Sequence, residues 1–432
     1  MSPSGIEKQF LKILWAKANK ILPVHSGGDI RSYNIARQLA ARHELTFFSY
    51  YDGKPDPAYE KALREHFPRA VSLCSGGRRD TQLRRGLDYV ARLSHPAPYA
   101  VSRFASRGVE SQLKNWYAEQ WFDVAVCDFL DAAVNFPKEL TIPTVLFQHN
   151  VESEIWRRQA TNGSSRIKKA VFGFEFSKMR RYEKKIIRRF HHVISVSEHD
   201  KALMSEWTDA RRISVVPTGV DTGQFRPGAK SEEQTPLVLF VGAMDWEANV
   251  DGVEYFCREI WPGILAKVPN AHLRIVGRNP GARTQRLASR SVEVTGRVPS
   301  VVEHLREATV VVVPLRIGGG TRIKIYEAMA MGKAVVSTSV GAEGLDVLHE
   351  QNILIADTSE DFSKSVSMLL QNELVRARLE GAAAELAANY SWPVIGTKFA
   401  QILEEVVGQG FKTAPHFGMA SENLSNVSRS RE

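Results

Sequence analysis

The residues best placed to do chemistry sit together in the run VVVVPLRIGGGTRIKIYEAMAMGKAVVST, Val310 to Thr338. Three glycines, Gly318, Gly319 and Gly320, lead through Thr321 to Arg322, Lys324 and Glu327. Val310 to Val313 reads as a strand buried on both faces. Ile323, Tyr326 and Ala330 then recur at helical spacing until Gly332 supplies the stop, and Ala334 to Thr338 returns as strand. With Thr321 as the expected N-cap, Arg322 and Lys324 fall in the first turn. There the helix dipole disfavours each cation by roughly 0.3–1 kcal/mol, so an anion should sit nearby. Free amides at a helix start, glycines that permit close approach and two cations suit a phosphate or diphosphate. Glu327, one turn beyond Lys324 on the same face, is placed to accept from hydroxyls such as those of a sugar. The plainer alternative is a tight glycine turn with a Lys324–Glu327 surface pair worth a few tenths of a kcal/mol. That reading leaves the cations at the unfavourable end of the helix unexplained.

The elements that must hold these residues alternate along the chain. Candidate strands are Leu11 to Ala16, Leu45 to Tyr50, Ala70 to Cys74, Asp123 to Cys127, Thr144 to Gln148, Val193 to Val196 and Ile213 to Val216. Segments of helical period lie between them, so the first half reads as an open parallel sheet covered on both sides. Ligands of such sheets sit outside the carboxyl ends of the strands. That rule selects the loop HSGGDIR, His25 to Arg31, with Gly27 and Gly28. It also selects Asp128, and His149 with Asn150 and Glu152. The SGGD spacing is not the dinucleotide fingerprint, yet paired glycines let backbone lie close against a ligand. His149 is open to three readings: general base, hydrogen-bond donor to a reacting sugar, or a satisfied buried histidine.

The segment Thr218 to Pro236 is rich in Gly, Pro and polar residues and reads as an interdomain linker. A second series follows: strand Leu237 to Val241, helix Val250 to Ile260, strands Leu273 to Val276 and Val292 to Thr295, and a helix opened by Ser300 and Glu303 as a capping box. After the focal run come strand Ile353 to Ile355 and helices to about Val407. Gly242 to Trp246, Gly277 with Arg278, and Gly296 to Val298 occupy the ligand edge of this second sheet. Two sheets with facing ligand edges make a cleft. The polar tail from Gly408 is expected to be disordered. Its Asn423 and Asn426 glycosylation triplets read as accidental without a secretory signal.

Composition bounds the partners. The chain has 432 residues, 43% apolar and 24% charged, enough for two cored domains. A net charge of +9 favours anionic partners. Cys74, Cys127 and Cys257 show no metal-ligand spacing and imply no disulfide scaffold. Leu11 to Ala16 reads as a first strand rather than a signal peptide, and no apolar stretch reaches the roughly 18–20 residues that span a bilayer. A cytosolic setting is expected. Arg166 to Phe190 predicts one long helix, with a stripe of Val171, Phe174, Met179, Tyr182, Ile186 and Phe190 and a crowd of lysines and arginines elsewhere. It fits a helix covering a domain, and its cations also fit an anionic membrane surface.

The segments PLRIGGGTRIKIYEAMAMGKAVVSTSVGAEGL, VVPTGVDTGQF, FVGAMDWEANVDGVEYF, LRIVG and QHNVESE resemble the retaining glycosyltransferases of family 4, the group 1 glycosyltransferases. The likeness runs in order from about Lys12 to Val407. It implies an α/β fold of two facing Rossmann-like domains, the glycosyltransferase B type, with an interdomain cleft. Residues 1–217 would form the acceptor side, 218–236 the linker, 237–390 the nucleotide-sugar domain, and 391–407 a helix crossing back, with 408–432 as tail. It further implies that Arg322 and Lys324 hold a diphosphate, Glu327 the ribose, and Gly318 to Gly320 backbone the transferred sugar. Gly27 and Gly28 would close over the donor, with Gly242, Val298 and Thr321 lining its site, and His149 or Asp128 would meet the reacting sugar. Three positions depart from the family pattern: Gly319 replaces a glutamate, GAMDWEAN lacks the usual arginine and lysine, and Asp128 stands for a histidine. The implied reaction moves a sugar from a nucleotide-diphosphate donor to a glycan or lipid-linked acceptor in cell-surface polysaccharide synthesis. No cofactor, metal or nucleic acid is expected, and no Asp-x-Asp triplet occurs. Rival readings are a nucleotide-sugar epimerase or hydrolase on the same fold, and a non-enzymatic basic surface binder.

Overall fold

A computed structural model describes residues 10–24, 26–76, 82–162, 166–228, 235–317 and 322–409. His25, the glycine triplet Gly318 to Gly320, Thr321 and the tail with Asn423 and Asn426 lie outside them.

Two parallel sheets account for the described strands. The first runs β3-β2-β1-β4-β5-β6-β7, with β1 Lys12–Ala18, β2 Glu44–Tyr51, β3 Val71–Cys74, β4 Val124–Asp128, β5 Thr144–Phe147, β6 His192–Ser195 and β7 Ile213–Val215. The second runs β10-β9-β8-β11-β12-β13, with β8 Leu237–Val241, β9 His272–Val276, β10 Val292–Gly296, β11 Val310–Val313, β12 Ala334–Ser337 and β13 Leu354–Ile355. Each chain path winds outward from a central strand and then restarts on its other side. The order reverses between β1 and β4 in one sheet and between β8 and β11 in the other. Such switch points open a crevice at the strands' carboxyl ends. The crevices hold Gly27, Gly28 and Asp128 in the first domain, and Gly242 and Arg322 in the second.

The described helices include α1 Gly27–Ala40, α2 Gln82–Ala91, α3 Glu152–Asn162, α4 Arg166–Arg189, α5 Glu247–Tyr255, α6 Ile323–Ala330 and α7 Trp392–Gly408. Ser26 caps α1, its hydroxyl accepting from the Asp29 amide at 3.1 Å. Helix α5 begins earlier than the apolar period suggests and runs into a π turn over Phe256–Ile260. The Ser300–Glu303 box does not form. Ser300 accepts from the Val302 amide at 3.2 Å, the helix opens at Val302, and Glu303 turns forward to pair with Arg306.

The first sheet carries an apolar core on each face. One of them is completed from the far end of the chain, where Trp392, Ile395, Phe399 and Leu403 of α7 pack with Trp15 and Phe147. The Phe399 ring lies 5.6 Å from Trp15 and 5.1 Å from Phe147. Gly396 lies against α1, where a Cβ would come within 2.3 Å of Gln38. The second sheet has its own core, which also takes Val220 and Phe225 from the chain between the sheets.

Candidate active site

On the second domain the site is built around the start of α6. The cap is Arg322 (φ −91°, ψ 83°) rather than Thr321, and no side chain caps the helix among the described residues. Arg322 therefore stands just ahead of the first turn and Lys324 within it. The Arg322 guanidinium is buried and lies 5.1 Å from the Trp246 ring centroid. Burial pulls its pKa down to about 10, with Arg158 adding to the shift and Glu343 opposing it. Lys324 donates to Asn249 Oδ1 at 2.9 Å and lies 4.5 Å above the Phe240 ring. Burial, then the Arg322 charge, lower its pKa to about 7 against the pull of Glu327. Burial raises Glu327 to about 7, opposed by Lys324. Gly242 is required here, because a Cβ would sit 2.7 Å from Asn249 Nδ2 and 2.8 Å from Lys324 Nζ. Val298 is half-buried and packs on the domain core.

On the first domain, a buried charge network joins β1, α1, β4 and the loop after β5. Asp128 Oδ1 accepts from Ser32 at 3.0 Å and lies 2.8 Å from His149 Nε2. Its Oδ2 accepts from Trp15 at 3.1 Å and lies 3.6 Å from Lys17 Nζ. Burial would raise the Asp128 carboxyl, but Lys17, His149 and Ser32 outweigh it and hold it below its usual range. The second nitrogen of His149, Nδ1, meets Arg31 Nη1 at 2.9 Å. A guanidinium only donates and a carboxylate only accepts, so His149 carries its proton on Nε2. Burial first, and then Arg31 and Lys17, push its pKa down to about 3 against the pull of Asp128, leaving a neutral ring. Both nitrogens are thus engaged within the protein. In this arrangement His149 is neither a free base nor a free donor, and Asp128 is fully enclosed.

Phe129 follows Asp128 at φ 68°, unusual for a bulky residue. Its ring stacks on His149 at 3.6 Å, and Lys17 sits 4.2 Å from its centroid. A Cβ on Gly28 would lie 2.4 Å from this ring, so Gly28 is glycine to admit Phe129. Gly27 instead faces the other domain, its Cβ position 3.6 Å from Ile323 Cδ1. The amino end of α6 thus meets the amino end of α1 across the cleft. Arg158 of α3 and Glu343 of the second domain span the same cleft at 2.9 and 3.4 Å. Beside them lies a cavity of about 850 Å³, lined by Asn150, Ile155 and Phe172 from one side and Trp246, Ile317 and Val340 from the other. Glu152, close behind Asn150 at the start of α3, is raised to about 8 by burial and by the Glu183 and Asp131 charges, against a hydrogen bond from Asn150.

Sequence reasoning missed Lys17, Asn249 and Arg158, and it reached Arg31 and Trp246 only as the ends of candidate loops, without a role for either side chain. Lys17 had a visible signal, a lone cation at the carboxyl end of an apolar strand. The others take their meaning from partners remote in sequence. Helix α4 corrects the stripe read from spacing. Met179, Ile186 and Phe190 are 1%, 3% and 0% exposed, whereas Val171 and Phe174 are 41% and 46% exposed.

Two parallel α/β domains that bring a helix start with two cations against a glycine loop across a cleft define the glycosyltransferase B fold. Two solved structures share the fold. Sucrose-phosphate synthase from Thermosynechococcus elongatus superposes with a TM-score of 0.65 at 17% identity, covering 92% of this chain and 99% of that one. Anabaena HepE in complex with UDP-glucose gives 0.62 at 14%, covering 91% and 100%. The family models Glycosyltransferase Family 4 and Glycosyl transferases group 1 match residues 25–224 and 235–372. The phosphatidyl-myo-inositol mannosyltransferase of Mycolicibacterium smegmatis is 25% identical over 332 residues, 73% of this chain and 81% of that one. A Campylobacter jejuni enzyme, the N,N'-diacetylbacillosaminyl-diphospho-undecaprenol alpha-1,3-N-acetylgalactosaminyltransferase, is 25% identical over 181 residues, 40% of this chain and 46% of that one. The chain belongs to the family 4, group 1 glycosyltransferases.

Proposed function

We propose that this glycosyltransferase moves a sugar from a nucleotide-diphosphate donor to a lipid-linked or glycan acceptor with retained anomeric configuration, in synthesis of cell-surface polysaccharide or glycoconjugate. The observation that carries the reading is the meeting of the two switch points, with Arg322 and Lys324 at the start of α6 opposite Gly27. As the bond from the anomeric carbon to the diphosphate breaks, negative charge grows on the departing oxygen. Two cations and free amides already aimed at that point lower the barrier without having to reorganise. In this reading Glu327 accepts from the ribose hydroxyls, and Gly242 and Val298 line the donor site. Gly318 to Gly320 and Thr321 contribute backbone to the donor. No metal or other cofactor is invoked, because the side-chain cations meet the diphosphate charge.

Asp128 and His149 enter this proposal as a positioning pair that fixes Lys17, Arg31 and Phe129 behind the glycine loop. The acceptor approaches from the cavity beside Asn150 and Phe172. A lipid-linked acceptor suits the relatives' names, and it suits α4. Lys169, Arg180, Arg181, Lys185 and Arg188 are exposed on that helix, as are Val171 and Phe174, while its two acidic residues, Glu175 and Glu183, are buried. Such a face is built to rest on anionic lipid. No described helix is long and apolar enough to cross a membrane.

Melting the full chain against a panel of nucleotide sugars tests the donor site, since a bound donor raises the melting temperature by mass action. With the donor so identified, Lys324→Ala should lower turnover by about 100-fold or more. Near-normal turnover would remove Lys324 from the reaction.

A further inference from the structure

We infer that Asn249 is a positioning residue that aims the Lys324 ammonium at the donor diphosphate while leaving its charge unneutralised. The inference rests on the reading of Lys324 as a diphosphate contact. Asn249 lies in the first turn of α5 and is 2% exposed. Its Nδ2 donates to the Ala243 carbonyl at 2.8 Å. Its Oδ1 accepts from Lys324 Nζ at 2.9 Å. The two partners fix the amide orientation: a carbonyl can only accept and an ammonium can only donate, so a flipped amide would break both contacts.

The backbone around this contact is shaped to admit it. Gly242 lacks the Cβ that would collide with both Asn249 Nδ2 and Lys324 Nζ. The Phe240 ring supports the ammonium from a second side. The same amide ties the loop after β8 to the start of α5, so loop and cation are held as one unit. An ammonium has three N–H groups and Asn249 takes one, which leaves donor capacity for a phosphate. A carboxylate at 249 would hold Lys324 in the same place, but as an ion pair in competition with the diphosphate. A neutral acceptor gives direction without that competition. This explains why the buried partner of the cation is an amide.

The test compares Asn249→Asp, Asn249→Ala and Lys324→Met in the full chain, by two measurements. The first is the affinity for UDP and for GDP by calorimetry at pH 6, where Lys324 is an ammonium with or without the substitution. Asn249→Asp should weaken whichever nucleotide binds by about tenfold or more, because the new pair must be broken. Asn249→Ala should weaken it too, but only while Lys324 is present; in the Lys324→Met background it should have no further effect. The second needs no ligand: lysine-labelled carbon NMR follows titration of the one amine that Lys324→Met removes. Asn249→Asp should move that titration to higher pH. An unmoved titration, or equal losses from Asn249→Ala with and without Lys324, would reduce Asn249 to a loop brace and overturn the inference. If no nucleotide sugar of the melting panel binds the wild type, or Lys324→Met binds normally, the donor-site reading itself fails, and the titration still reports on the Asn249–Lys324 contact.

Discussion

Lys324 and Glu327 pull the pH dependence of donor binding in one direction. Burial lowers the lysine to about 7 and raises the glutamate to about 7. As pH climbs through that value the empty site loses a cation and gains an anion, and both changes disfavour a diphosphate. Affinity for a nucleotide sugar should therefore fall from pH 6 to pH 8.5, with proton uptake on binding at the upper end, measurable by calorimetry in buffers of different ionisation enthalpy. His149 gives a stability prediction of defined sign. Its native pKa, near 3, lies below the ordinary histidine value, so the unfolded chain takes up the proton first as pH drops. Stability is lost on acidification from about pH 6.5 towards 3. His149→Gln supplies one donor and one acceptor but no titration, and should flatten that loss in denaturant melts. The sequence showed His149 at a strand's carboxyl end, in a segment resembling a family motif, and left its role open. Its role turns on Arg31 and Asp128, which lie 118 and 21 residues away, and no local pattern encodes that pairing. Arg322, Lys324 and Glu327 were legible because cations at a helix start conflict with its dipole, and that conflict is local.

At the scale of elements, strands were read to within a few residues, because fully buried parallel strands leave unbroken apolar runs. Caps were less legible. Thr321 and Ser300 have the right chemistry, yet their helices open two residues later, at Ile323 and Val302, with Arg322 and Val301 in the cap positions. The start of α3 shows what sequence cannot display. Glu183, buried on α4, accepts from the Glu152 and Ser153 amides at 2.7 and 3.0 Å and from Gln148 at 2.6 Å. A carboxylate from another helix thus serves an amino terminus that has no cap nearby in sequence. Burial raises this carboxyl, and its hydrogen bonds pull the other way. Glu183→Ala orphans those donors and should cost about 1–3 kcal/mol in chemical denaturation. The exposed cations of the same helix should behave oppositely. The double change Arg180→Glu and Arg181→Glu should alter stability by less than about 0.5 kcal/mol, yet reduce sedimentation with phosphatidylglycerol vesicles. Vesicle binding that is unchanged would exclude α4 from a membrane face. The stripe misled because its period is real along the whole helix, whereas only the Met179–Phe190 half lies over the core.

Across the whole molecule, the donor helix is coupled to the chain's return to the first domain. Tyr326 of α6 stacks on Tyr390 at 4.5 Å and 19°, and Tyr390 donates to Asp346 at 2.6 Å. Val220 accepts from the Trp392 amide at 3.2 Å and donates to the Tyr390 carbonyl at 2.8 Å, so both crossings between domains are fastened together. Trp392 leaves Gly219 no room for a Cβ, which would lie 2.4 Å away. Trp392→Ala should destabilise by about 3–5 kcal/mol, read by urea denaturation. The return of α7 has a further consequence for biosynthesis. The second domain is, in topological terms, an insertion within the first. A ribosome releases residues up to 217 long before Trp392, Phe399 and Leu403 are made, so the nascent amino-terminal sheet must wait with one face uncovered. That interval is when the chain most needs a chaperone, and a fragment ending at residue 390 should bind a hydrophobic dye that the complete chain does not.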